Sequence, residues 1–372
     1  MITTVGSSLE HYGQTLPPTW PGGFWWHFLV FTIIILGFVL TMAMGYIWLE
    51  RRAMGRMQAR VGPNRVGPFG LLQPVADAVK VLLKEDIVPS NADKIVHLLA
   101  PLVAFAPVLM IFAVIPFWDG ALLADLNVGI LYVVAVGSIS TLGIFMAGWG
   151  SSNKYALLGA MRNVAAVVSY EIPMVLSIIG VVLLAGSLSL NQIVLEQDIP
   201  FILLQPLAFL IFFMAGCAEI NRSPFDLLEA DSELVAGFHI EYSGMKFAMF
   251  YLVEYAEALV ISSIITTLFL GGWRGPLLPP LLWFIAKVMV VFFIMVWTRT
   301  TLPRVRIDQL MALAWKFLFP LALINLFITG LEVLIWPDRF PLLLIPVNIV
   351  IAVVLVLIWS RFFKLGWGRV EI

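Results

Sequence analysis

A chain of 372 residues with 61% hydrophobic residues, 12% charged residues and a mean hydropathy of +0.99 excludes a soluble globular protein, because so apolar a chain has no polar surface with which to cover its core. The net charge of −1 and the lack of a basic tract interleaved with aromatics point away from nucleic acid. One cysteine, Cys217, and four scattered histidines, His11, His27, His97 and His239, fall short of the ligand count of an Fe–S, haem or zinc centre, so any electron chemistry is expected in a partner.

The class that remains is an all-α, polytopic transmembrane helix bundle. A crossing helix needs roughly 20 apolar residues, and such runs cover about 24–49, 95–117, 129–149, 164–186, 200–218, 247–271, 280–298, 311–335 and 341–361. That gives nine expected spans in a single integral membrane domain, 1–372. The first 23 residues hold no Lys or Arg, and the apolar run after them is too long for a signal-peptide core, so the first helix is expected to target the chain without cleavage. Taking loops alternately, eighteen of the 22 basic residues fall on one side, two (Arg274 and Arg339) on the other, and two (Lys287 and Lys316) inside spans. Basic loops stay cytoplasmic, which predicts an outside N-terminus and an inside C-terminus.

The first cytoplasmic loop, 50–94, opens on a basic stretch from Glu50 through Arg51, Arg52, Arg56 and Gln58 to Arg60. It continues through Val61-Gly62-Pro63-Asn64-Arg65-Val66-Gly67-Pro68-Phe69-Gly70, whose Gly and Pro punctuate turns. Residues 71–85 then read as an amphipathic surface helix, with Val75, Val79, Leu82 and Leu83 on one face and Asp77, Lys80 and Lys84 on another. A plain topology signal needs neither the repeated turns nor the surface helix. The plain alternative is a positive-inside anchor whose helix rests on the lipid headgroups; the other reading is an opening between membrane and cytoplasm, through which an amphipathic, lipid-soluble substrate would enter sideways.

The second long loop and the span after it crowd eight carboxylates into residues 219–257: Glu219, Asp226, Glu229, Asp231, Glu233, Glu241, Glu254 and Glu257. Charged groups at membrane depth are costly and mark functional sites by default. If the segment after Pro224 is helical, Asp226, Glu229 and Glu233 share a face, and like charges so spaced cost about 0.2–0.5 kcal/mol per pair, so local helix stability does not explain them. The plain reading of the loop is a solvated acidic surface; against it, Leu227, Leu228, Leu234, Val235 and Phe238 are interleaved with the acids and would bury one side. Glu254 and Glu257 are neighbours on one helix face, and Glu171 sits beside Tyr170, just before Pro173. Lipid exposure being untenable, all three are expected to face the bundle interior, where they either pass protons or serve as structural glue paired with a span lysine such as Lys287. Glu332, isolated near the outer end of a span, reads as structural. The loop 298–310 reads as an ordinary positive-inside connection.

The stretches 60–85, 218–255 and 300–319 resemble the quinone-site membrane subunit of respiratory complex I, the H-type subunit of the bacterial NADH:quinone oxidoreductases. Most diagnostic are the run from Arg60 to Pro74, Glu219-Ile220-Asn221-Arg222-Ser223-Pro224-Phe225-Asp226-Leu227 and Glu241-Tyr242-Ser243-Gly244. The resemblance covers about 50–320, with a family core over about 24–335 and an additional last span, about 341–361, that only some bacterial members carry. It implies the membrane end of a quinone chamber shared with hydrophilic partner subunits, which hold the NADH site, the flavin (FMN) and the Fe–S clusters, the terminal cluster next to the quinone headgroup. Small membrane subunits would lead on to antiporter-like pumping subunits in a bacterial cytoplasmic (inner) membrane. Carried over residue by residue, Arg51, Gln58, Arg60 and Phe225 belong to the quinone chamber. Glu171, Glu219, Asp226, Glu229, Asp231, Glu233, Glu241 and Glu254 belong to a proton relay coupling quinone reduction to pumping. Leu228 stands where the family usually has Pro, Asp231 where it has Glu, and Glu257 where it has a neutral residue. Two alternatives remain: the anchor subunit of a related ion-translocating hydrogenase or of a quinone- or methanophenazine-linked dehydrogenase, and, from another class, a proton-coupled secondary transporter. The second usually carries internal repeats, and no repeat between the halves stands out.

Overall fold

Apolar runs long enough to cross a bilayer have nowhere to satisfy their backbone but in helices of their own, and helices are what they form. A computed structural model describes residues 24–118, 124–226, 237–276, 278–336, 341 and 344–362. Eight helices among the described residues are long and apolar enough to cross a membrane. They are α1 (Phe24–Met57), α3 (Lys94–Phe112), α4 (Gly129–Gly150), α5 (Lys154–Ala185), α9 (Gly244–Phe269), α10 (Pro280–Thr301), α11 (Ile307–Ile335) and α12 (Leu344–Phe362). Shorter helices are α2 (Gln73–Leu82), α6 (Leu190–Glu196), α7 (Phe201–Leu204) and α8 (Pro206–Glu219). No strand occurs among the described residues. The protein is a multi-pass membrane helix bundle.

The fifth expected span is the one that departs from a simple crossing. Residues 200–218 form α7 and α8 with Gln205 unwound between them, at φ −130° and ψ 63°. Pro206 is the cause, since a proline pushes the residue before it out of the helical region. The break is repaired by neighbours: Gln205 Nε2 donates to the Gly180 carbonyl and to Thr329 Oγ1, and Asn348 Nδ2 of α12 donates to the Leu204 carbonyl at 2.8 Å. Broken helices persist in membranes where adjacent helices satisfy them in this way. The last helix thus docks on the break.

Two helices run well past their expected ends. Asn153 caps α5 by accepting from the Tyr155 amide, so the helix starts ten residues before the expected 164 and takes Lys154 and Arg162 into its first turns. α1 continues through Arg51, Arg52 and Arg56. These extensions reach the end of the bundle where the loops 50–94, 219–246 and 298–310 meet, as the alternation of spans requires. There Val305 N donates to the Pro224 carbonyl and Asp93 N to that of Gly150. At the opposite end Arg274 donates to the carbonyls of Leu195 and Gln197, and Lys287 to those of Leu270, Gly272 and Arg274. Lys287 therefore caps α9 and pairs with neither Glu171 nor Glu254. α9 is the central helix, its most apolar stretch 67% buried against 11% for α12.

Candidate functional site

The Gly-Pro run folds back on the end of α1. Gly67 and Gly70 adopt left-handed backbone, φ 71° and 76°, and a Cβ on Gly70 would lie 2.2 Å from the Pro63 carbonyl oxygen. No other residue fits there without moving the turn. The Phe69 carbonyl that this turn presents accepts from Trp48 Nε1 at 3.2 Å and Arg52 Nη1 at 2.8 Å, and the Arg52 guanidinium lies over both the Trp48 and Phe69 rings. Beneath this knot opens a cavity of about 710 Å³, walled by Trp48, Leu49, Met57, Phe69 and Leu71, with Phe293 of α10 opposite and Arg52 and Arg56 at its rim. An apolar hollow with cationic groups along one edge suits a molecule that has a lipid-like tail and a polar head.

The surface helix is where the pattern places it, slightly shorter, with Val75, Val79, Leu82 and Leu83 exposed. Arg51 ties it to α1 through Asp77 at 2.5 Å, and Gln58 accepts from Arg60 Nε at 2.8 Å. Arg51, Gln58 and Arg60 are not among the residues that line the cavity. Phe225 is elsewhere, buried with its ring 5.5 Å from that of Tyr170 in α5. The cavity's own charged residues, Arg52 and Arg56, were present in the same basic stretch, but nothing in the spacing separated them from Arg51 and Arg60.

Behind the knot lies a buried charge lattice. Glu50, 0% exposed, pairs with Arg222, 1% exposed, and with Arg299 of α10 at 2.5 Å. Arg222 also approaches Glu254 of α9 at 3.2 Å and sits over the Tyr255 ring at 4.5 Å. Burial works against the Arg222 charge, but Glu254 and Glu50 outweigh it and hold its pKa well above the usual guanidinium range. Asp226, nearly buried, meets Arg304 at 3.0 Å. The loop 298–310 therefore is more than a topology signal: it supplies cations to both acids. Glu50, Arg222 and Arg299 escape a reading of the sequence, because their pairing joins residues 172 and 249 positions apart.

The remaining acids divide by neighbourhood. Glu241 is held by Asn153 Nδ2 at 2.7 Å, so one side chain both caps α5 and fixes the acidic loop. Glu171 accepts from Ser138 of α4, and Glu257 bonds to Ser140 nearby on the same helix. Glu219 lies near enough to Glu171 and Glu257 to interact electrostatically with both, and its Oε2 has no hydrogen-bond partner among the described residues. Among the described residues no Lys or Arg pairs with these last three. A small cavity of about 60 Å³, with Ile220, Phe238 and Phe250 in its walls, is lined by Asp226, Asn221 and Arg299 at the loop and by Glu254 and Glu257 in the bundle. Glu229, Asp231 and Glu233, like Leu228, lie outside the described residues.

Residues 30–330 match the NADH dehydrogenase family. The chain is similar to the H-type subunit of the NADH-quinone oxidoreductase of Dehalococcoides mccartyi (strain CBDB1), 64% identical over 94% of this chain and 99% of that protein. It is 52% identical to the H-type subunit of Geobacillus sp. (strain WCH70) over 80% of this chain and 92% of that one. It is 51% identical to an H-type subunit, numbered 2, of Syntrophobacter fumaroxidans over 81% and 94%. On that coverage, and with the Gly-Pro knot in place, the chain belongs to the NADH dehydrogenase family and is a membrane subunit of an NADH-quinone oxidoreductase complex.

Proposed function

We propose that this subunit forms the membrane end of the quinone-binding chamber and the first part of a carboxylate path that couples quinone reduction to proton translocation. The quinone enters from the bilayer through the cavity under the Gly-Pro knot, tail against Leu49, Phe69 and Phe293, head towards Arg52 and Arg56. It passes on to a chamber completed by hydrophilic partner subunits, which carry the flavin, the Fe–S clusters and the electron input. Arg51, Gln58 and Arg60 flank that entrance, and Phe225 closes the chamber on the α5 side. Protons are then handled by Glu241, Asp226, Glu229, Asp231 and Glu233 of the loop sequence and by Glu254, Glu219 and Glu171 within the bundle. Glu257 joins this set. Small membrane subunits continue the path to antiporter-like pumps. The whole chain acts as one membrane unit, N-terminus outside and C-terminus inside a bacterial cytoplasmic membrane.

The observation that carries this reading is the small cavity that the loop acid Asp226 and the bundle acids Glu254 and Glu257 line together. A carboxyl group in a site shielded from water can hold and release a proton with little rearrangement. The test is Glu171→Gln in the assembled complex, with quinone reduction and proton pumping measured together. Pumping per quinone reduced is expected to fall. Wild-type pumping in this variant removes Glu171 from the path.

A further inference from the structure

The quinone chamber and the carboxylate path leave α12 without a task, and much of it faces outward, with Val350, Val353 and Leu357 exposed. One stripe is different. Asn348 and Trp359 stand eleven residues apart, three turns of helix and therefore on one face, and Ala352, Leu355 and Val356 between them pack against the core. Both carry a side-chain N–H, and both use it on a main-chain carbonyl of the bundle. Asn348 Nδ2 donates to the Leu204 carbonyl at 2.8 Å and Trp359 Nε1 to the Lys316 carbonyl at 2.8 Å.

Both carbonyls belong to irregular turns. Leu204 ends α7, and the unwinding of Gln205 before Pro206 leaves its carbonyl beyond the reach of an intrahelical partner. Lys316 lies in a widened π-turn of α11, Leu313–Leu318, and the residue four positions on, Pro320, has no N–H to offer it. A helix that only anchors the chain in lipid needs neither bond, since an apolar surface suffices. Side-chain donors between membrane helices fix one helix against another.

Each irregular turn bears on an acid of the proposed path. From Pro206, α8 runs unbroken to Glu219, its last residue. The π-turn leans on α5 just ahead of Glu171: Trp315 Nε1 donates to Ser169 Oγ at 3.2 Å, and the Tyr170 hydroxyl to the Leu310 carbonyl at 2.9 Å. Gln205, at the head of α8, is bonded in turn to Gly180 of α5 and Thr329 of α11. Packed helices slide by about 1–2 Å when a contact changes, and a stiff helix passes such a shift from one end to the other. A proton moves between carboxyls only within hydrogen-bond reach or across one water, so a shift of that size matters.

Resting on the relay reading above, we infer that Asn348 and Trp359 are positioning residues. Through the Leu204 and Lys316 carbonyls, α12 straps α8 and α11 to fixed places beside α5 and so sets how Glu219 stands towards Glu171.

The test uses membrane vesicles holding the assembled complex, driven by its electron donor and a short-chain quinone, with quinone reduction and proton uptake followed together. Asn348→Leu combined with Trp359→Phe keeps apolar side chains on the stripe and removes both donors; each single variant and Glu171→Gln are run beside it. The double variant is expected to hold quinone reduction within about twofold while pumping per quinone reduced falls at least about threefold, with the single variants between it and wild type. A wild-type pumping ratio in the double variant overturns the inference, and so does a fall of reduction and pumping in step, which is what a merely structural strap produces. If Glu171→Gln is impaired, either outcome leaves the relay reading standing. Wild-type pumping in Glu171→Gln removes Glu171 from the path and the inference with it. Should the double variant not assemble, the single variants are judged by the same ratio. Failure of both to assemble also overturns the inference, because α12 then serves folding alone.

Discussion

Two sets of carboxyls lie within a few turns of one another and are treated in opposite ways. Glu50, Glu254 and Asp226 each face a guanidinium, and the Glu50 pairing joins α1, the acidic loop and α10. Glu171, Glu219 and Glu257 meet hydroxyls and one another, with no cation among the described residues. A buried ion pair is a tie: it fixes register between elements, and breaking it strands a charge. Carboxyls without a cation are free to hold or lose a proton without unpicking the structure. The bundle thus sets guanidinium groups against Glu50, Asp226 and Glu254 where the loops join and leaves Glu171, Glu219 and Glu257 without a cation among the described residues.

Breaking a tie is expected to have the largest effect. Glu50→Ala leaves Arg222 buried and under-compensated, which costs about 3–5 kcal/mol, read as loss of assembled complex or a lower thermal midpoint of the purified complex. Glu50→Met combined with Arg222→Met, which removes both charges at once, is expected to restore much of that loss. A single variant as stable as wild type would show that the lattice does not hold the elements together. Glu219→Gln is the converse case. Stability should change little, since Glu219 Oε2 has no hydrogen-bond partner among the described residues, whereas pumping per quinone reduced is expected to drop at least about tenfold. A loss of assembly with coupling intact would reverse the assignment of the two sets.

The contrast between the sets was only half visible in the amino-acid sequence. Hydropathy located the helices, because a 20-residue apolar run has few other structures open to it. The acids were conspicuous for the same reason, as charges in greasy surroundings. Their partners were not: Arg222 and Arg299 sit in stretches that the positive-inside rule already explained, and ion pairs between residues so far apart in sequence leave no local spacing to read. The break at Gln205 had a local signal in Pro206, masked by the unbroken hydrophobicity on both sides. The Gly-Pro run announced turns, and only its folding showed that they aim the Phe69 carbonyl at Trp48 and Arg52.

That knot offers a smaller and more selective perturbation. Gly70→Ala puts a Cβ against the Pro63 carbonyl at φ 76°, a strain of about 1–3 kcal/mol concentrated in one turn. Because the turn roofs the cavity, KM for a long-tailed quinone is expected to rise several-fold and that for a short-tailed one to change less. Equal changes for both would separate the cavity from substrate entry.

The smallest expected effect concerns Arg51, on which two readings compete. Its pair with Asp77 is 37% exposed on both sides, and such surface pairs contribute about 0.2–1 kcal/mol and weaken with salt. If anchoring α2 is all that Arg51 does, Arg51→Ala should lower the thermal midpoint slightly, only at low ionic strength, and Asp77→Ala should do the same. A place in the quinone chamber makes a different demand: Arg51→Ala would slow quinone reduction at any ionic strength while Asp77→Ala would not. The two variants side by side therefore decide whether Arg51 acts on the substrate or only anchors α2 through Asp77.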